Sequence, residues 1–211
     1  MCERCEGGID RRIEVTDETA GAMIHETTHV ALQASAAYAN GWYDAARGYL
    51  SDMTDTWGGH GTVRMVYVWG AARFFLPSPP GRTVSPGHQE MADLARRMMG
   101  EEPDPKKVAR LVAQGDQLGA ACNVIATAAS KGDLDTLADT VNEFGESQSA
   151  TNALLLTLMS DAGIRLRHSR DADDQMAYDL FMAHVHADLA DDDDEDGGGE
   201  HKGEGTGGAD L

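Results

Sequence analysis

The chain has 211 residues, with 36 Asp and Glu against 17 Lys and Arg, for a formal net charge of −19. A balance this acidic argues against direct binding to nucleic-acid phosphates or to an anionic membrane surface, both of which draw on concentrated positive charge. The longest apolar run, Val63 to Leu76, is interrupted by Arg64 and Arg73 and falls short of the about 20 residues of a bilayer span.

Residues 1–15 form an N-terminal segment in which Cys2 and Cys5 have the C-x-x-C spacing of a zinc or redox pair. A closed zinc site needs two further ligands, and a redox motif needs a βαβ setting; neither is evident. Glu3, Arg4 and Glu6 stand where a secretory leader would carry a basic and then an apolar stretch, so a cytoplasmic location is expected. Three cysteines cannot all pair within one chain, and a reducing compartment requires none of them to. Arg outnumbers Lys, and Ala, Gly and Asp abound, as in proteins coded by GC-rich bacterial or phage genomes.

Residues 16–76 read as an N-terminal helical region. Thr16 supplies an N-cap, Asp17 and Glu18 place negative charge in the first turn, and the pattern runs to about Met53. Asn40-Gly41 and Gly48 are both suitable helix ends, so two helices in a hairpin are as well supported as one rod. After Gly58-Gly59-His60-Gly61 a second apolar segment spans Thr62 to Leu76. Val66, Tyr67, Val68 and Trp69 have strand propensity there, but a helix is preferred because no partner strand is evident.

Pro77 to Gly87 is a Pro/Gly-rich linker that no helix can continue through, and the internal boundary is placed there. The C-terminal helical region, 88–190, is expected to hold helices over about His88–Met99, Pro105–Ser130 with Asp104 as N-cap, Leu134–Phe144, Ser149–His168 and Ala172–Leu189. Leu111, Leu118 and Ile125 in one helix, and Met176, Leu180, Ala183 and Ala187 in another, are read as core stripes. Residues 191–211 begin with Asp191 to Asp196, all acidic, and continue Gly-rich; so little apolar surface predicts a disordered tail. The fold class expected is mainly α, a multi-helix orthogonal or bundle-like domain followed by that tail.

One stretch carries a chemical motif. His25-Glu26-Thr27-Thr28-His29 fits H-E-x-x-H, in which two imidazoles one helical turn apart bind zinc and the Glu activates the attacking water. Over about ten residues, with the uncharged flanks Ala22-Met23-Ile24 and Val30-Ala31, it resembles the helix of zincin metallopeptidases. The resemblance implies His25 and His29 as zinc ligands and Glu26 as the catalytic base. Asp44, in Gly41-Trp42-Tyr43-Asp44, resembles the third-ligand position of aspartate-liganded zincins, although no Gly-Thr precedes it. The chain departs from the family elsewhere: the metzincin continuation is absent, and only 24 residues precede His25, with no clear sheet. On a helical wheel at about 100° per residue, Ala20, Met23, Ile24, Thr27, Val30, Ala31, Ala34 and Tyr38 share one arc, and His25, Glu26, His29, Gln33 and Asn40 the other.

His184 and His186 are placed on diverging faces, and Cys122 among small apolar neighbours is read as a buried thiol. Trp42, Trp57 and Trp69 gather with four tyrosines in the first third of the chain, where core packing accounts for most and a surface cluster would mark a partner site. The functional expectation is a non-enzymatic cytosolic helical interaction or accessory protein of a bacterium or phage, engaging a protein partner or a second copy. The alternative is a zinc-dependent hydrolase of metallopeptidase type, with zinc as cofactor and His25, His29, Glu26 and Asp44 as its site.

Overall fold

The computed structural model describes residues 13–80, 105–144, 148–171 and 175–187. Six helices lie among these residues, in the order α1 (Asp17–Ala39), α2 (Tyr43–Phe75), α3 (Pro105–Ala129), α4 (Leu134–Phe144), α5 (Gln148–Asp171) and α6 (Gln175–Val185). The described residues contain no strand, and the fold is mainly α and bundle-like. No described helix is long and apolar enough to cross a membrane. Cys2, Cys5, the expected helix over 88–99, most of the linker and the acidic tail lie outside the described residues.

Helix α1 begins where expected. The Thr16 backbone N–H donates to the Thr19 hydroxyl at 2.9 Å, and Asp17 and Glu18 lie at the positive end of the helix dipole. It ends at Asn40-Gly41, and Gly41 takes φ 80°, a left-handed conformation that glycine adopts without a Cβ penalty. The chain therefore forms the hairpin alternative, and Gly48 lies inside α2.

Helix α2 is bent at Gly58, where φ 58° and ψ −137° divide it into arms over residues 43–57 and 59–75. The first arm returns along α1, bringing the Trp57 indole to Glu26 and the Thr56 carbonyl under the Ile13 N–H. The second arm crosses α1 again, and there Trp69 Nε1–H donates to the Ala31 carbonyl at 3.1 Å. Met65, Val66 and Val68 are fully buried in this arm and Trp69 nearly so. A helix that is apolar on every side has to be surrounded, and α2 touches each of the other described helices. The residues with strand propensity are helical because they pack outward in all directions from one central rod.

Close approach is achieved at two glycines. A Cβ at Gly70 would stand 2.8 Å from Ile125 Cγ2, so α2 and α3 cross nearly backbone to backbone; one at Gly163 would stand 2.3 Å from the Ser35 carbonyl oxygen, so α5 lies equally close on α1. Leu118 and Ile125 of the stripe expected in α3 are buried. The turn into α4 is capped by Asp133, which accepts from the Thr136 N–H at 3.1 Å and the Thr136 hydroxyl at 2.7 Å. Those bonds hold its carboxyl below the usual carboxylate range.

Helix α6 corrects one expectation. Met176 is 75% and Leu180 56% exposed, and Ala183 and Ala187 also face outward. The buried positions are Phe181 and Val185, with Ala177 and Met182 packed partly against the core. Both faces of this helix carry apolar residues at helical spacing, so periodicity alone could not decide between them; the larger ring of Phe181 takes the core side.

Two of the basic residues that break the apolar run of α2 serve the interior. Arg73 Nη1 lies 2.6 Å from Asp161 Oδ2 on α5, and Arg165 Nε reaches the same oxygen at 3.0 Å. Arg73 also donates to Asn123 on α3 at 3.0 Å, and Arg165 to the Leu76 carbonyl at 2.8 Å. Asp161 thus ties α5 to α2, and Arg73 carries the link on to α3. Arg64, 3% exposed, donates from Nη2 to the Val185 carbonyl at 2.7 Å, placing a guanidinium at the negative end of α6.

Cys122 lies fully buried beside this network, and its thiol is pushed up to about 11, chiefly by burial; Arg73 lowers it and Asp161 raises it. At pH 8 the thiolate is then about one part in a thousand of the thiol. In a Cys2→Ser/Cys5→Ser background, maleimide labelling at that pH is expected to be negligible in the native protein and complete within minutes in denaturant. Rapid native labelling would show that the helices around Cys122 open readily.

Candidate functional site

The H-E-x-x-H stretch occupies the middle of α1 in the orientation that its periodicity predicts. Thr27 and Thr28 are fully buried, and His25, Glu26, His29 and Gln33 are exposed. Thr27 faces the second arm of α2, where a Cβ at Gly61 would lie 3.6 Å from its Cγ2. The histidines stand one turn apart on the open face, as a chelating pair requires. The amide nitrogen of Gln33 lies 2.8 Å from His29 Nε2.

The remaining members of the expected site are placed differently. Trp57, 4% exposed, donates its indole N–H to Glu26 Oε2 at 2.8 Å, so one oxygen of the would-be base serves as a tertiary contact. Asp44 is exposed in the first turn of α2. That turn adjoins the end of α1, ten residues beyond His29, a separation of about 15 Å along the axis at 1.5 Å per residue. Among the described residues, no three His, Cys, Asp or Glu side chains converge as a metal-binding group. Asp44 is therefore not grouped with His25 and His29 in a three-residue cluster among the described residues.

The second pair, His184 and His186, diverges as expected. His184 turns inward: Nε2–H donates to the Ala129 carbonyl at 2.8 Å, and the ring lies 5.5 Å from that of Tyr67 and 4.8 Å from that of Phe75. Tyr67 donates from its hydroxyl to the His184 carbonyl at 3.2 Å. His186 is half-buried on the other side, and its pKa is lowered by burial first, then by Arg64 and by His25. His25 of α1 and Arg64 of α2 thus act electrostatically on His186, in the turn just after α6. Sequence patterning missed this arrangement; its one signal was an arginine inside an otherwise apolar run.

The aromatic residues divide between two roles. Trp57, Tyr67 and Trp69 are buried in the core. Trp42 is 65% and Tyr43 53% exposed where the α1–α2 hairpin turns, and the Tyr43 ring meets that of Tyr38 edge to face at 5.0 Å. A large indole left in water next in sequence to an exposed tyrosine is the kind of side chain that partners bury. Neither a protein-family model nor a curated protein nor a solved structure matches this chain.

Proposed function

We propose that this chain is a non-enzymatic helical interaction protein, acting in the cytosol of a bacterium or phage-infected cell through the aromatic corner of its α1–α2 hairpin. The exposure of Trp42 next in sequence to Tyr43, whose ring meets that of Tyr38, carries this reading. Aromatic side chains of this type contribute most of the energy at protein interfaces when a partner desolvates them. The high negative charge favours a basic or neutral protein surface, or a second copy meeting through its least charged patch, over nucleic acid or lipid.

The competing reading, a zinc hydrolase, draws support from the exposed His25/His29 pair. It lacks a third ligand among the described residues, and Glu26 is bound to Trp57. One set of measurements separates the two. Sedimentation over a concentration series and affinity capture are expected to show a defined complex that Trp42→Ser/Tyr43→Ser abolishes without altering thermal unfolding. Near-stoichiometric zinc with peptide hydrolysis that His25→Ala abolishes would replace the interaction reading by the hydrolase.

A further inference from the structure

The helical turn of α1 that carries His25 and His29 on its exposed side is fixed from behind. Trp57 donates its indole N–H to Glu26, between the two histidines, at 2.8 Å; Thr27 and Thr28 are fully buried, and Trp69 donates to the Ala31 carbonyl at 3.1 Å. Side chains four residues apart on a helix have Cβ atoms about 5–6 Å apart, a gap that two imidazoles can close on a single ion. A free peptide would have to order this turn before chelating, whereas here the folded core has already ordered it.

His29 also presents the atom that coordination needs. The Gln33 amide nitrogen lies 2.8 Å from His29 Nε2, and an amide nitrogen only donates, so Nε2 is the acceptor and the ring proton sits on Nδ1. The lone pair that a metal takes is thus held at the far end of the ring, against an exposed side chain that can swing aside. Helix α1 contains no Lys or Arg, and the chain's net charge of −19 raises the local concentration of cations.

We infer that this face of α1 is a two-imidazole site for a late divalent transition ion, copper(II) above the others. Copper(II) binds a given set of nitrogen and oxygen ligands more tightly than nickel(II) or zinc(II), and two adjacent nitrogens with water meet its square-planar or tetragonal preference. Structural zinc takes four protein ligands and catalytic zinc three. Among the described residues, no third His, Cys, Asp or Glu joins this pair. Calcium and magnesium take oxygen ligands instead. The site is separate from the aromatic corner, and it differs from that of a hydrolase in needing neither a third protein ligand nor Glu26.

The test is a copper(II) titration of the full-length Cys2→Ser/Cys5→Ser protein, which lacks the N-terminal thiols, in a glycine buffer that keeps weak carboxylate sites empty. One equivalent is expected to bind, with electron paramagnetic resonance showing two equatorial imidazole nitrogens and with the amide resonances of residues 25–33 broadened before any others. His25→Ala and His29→Ala are each expected to weaken binding at least about tenfold, because the remaining imidazole loses the effective concentration of its neighbour. Both positions are exposed, so the fold should be kept in either variant. His60→Ala, at an exposed histidine of α2, is expected to bind as the parent does. No bound equivalent, binding undiminished in His29→Ala, broadening that begins elsewhere in the chain, or three imidazole nitrogens on the ion would each overturn the inference.

Discussion

Asp161→Ala is expected to destabilise the protein by about 3 kcal/mol, the lower end of the cost of leaving a buried charge without its partner. The carboxylate is 7% exposed and receives both Arg73 and Arg165, which are themselves only 15% and 13% exposed. Its removal leaves two guanidiniums facing each other across the α2–α5 contact, with only Asn123 and the Leu76 carbonyl as neutral acceptors. For a chain of this size the midpoint of thermal unfolding should fall by about 10 °C. Asp161→Asn retains one acceptor and the shape, and should cost less. Replacing Arg73, Asp161 and Arg165 together by Met, Leu and Met should recover part of the loss, because the desolvation cost disappears with the charges. An Asp161→Ala protein that melts within a degree of wild type would show that the three charges are solvated and do not hold α5 to α2.

Gly163→Ala is expected to cost about 2–3 kcal/mol, the usual penalty for forcing volume into a closed contact. The added methyl would meet the Ser35 carbonyl oxygen, a backbone atom that cannot rotate aside, so α1 and α5 must separate along their whole crossing. Gly70→Ala should destabilise in the same direction but less, since its nearest obstacles at 2.8 and 2.9 Å are side-chain carbons of Ile125 and Ala129. Gly48→Ala and Gly119→Ala supply the contrast. Both lie within helices with nothing inside 4 Å of the added carbon, and the gain in helix propensity should stabilise by about 0.5–1 kcal/mol. Chemical denaturation of the four variants would yield that order. A Gly163→Ala protein as stable as Gly119→Ala would mean that the two helices are not held in close contact.

The sequence by itself determined the elements and the facing of α1. The choice of Asn40-Gly41 over Gly48 and the continuation of α2 through the glycines before Thr62 did not follow from local chemistry, whereas capping at Thr16 and the exposure of His25, Glu26 and His29 follow from it and from a period of 3.6 residues. The buried thiol of Cys122 and the core positions Leu118 and Ile125 were legible for the same reason. Local periodicity could not say which of two apolar faces of α6 is covered, because that depends on what lies opposite; Phe181 is buried and Met176 is not. Nor could it show that Glu26 is bound by an indole 31 positions away, or that Asp44 lies far along the axis from the histidines it was grouped with. The uses of Arg64, Arg73 and Arg165 were likewise decided only by tertiary structure, since each answers a carbonyl or carboxylate distant in the chain or carried on a neighbouring turn. Spacing along a helix fixes direction around its axis, whereas a site requires distances between helices, and those are set by where the glycines permit the rods to meet.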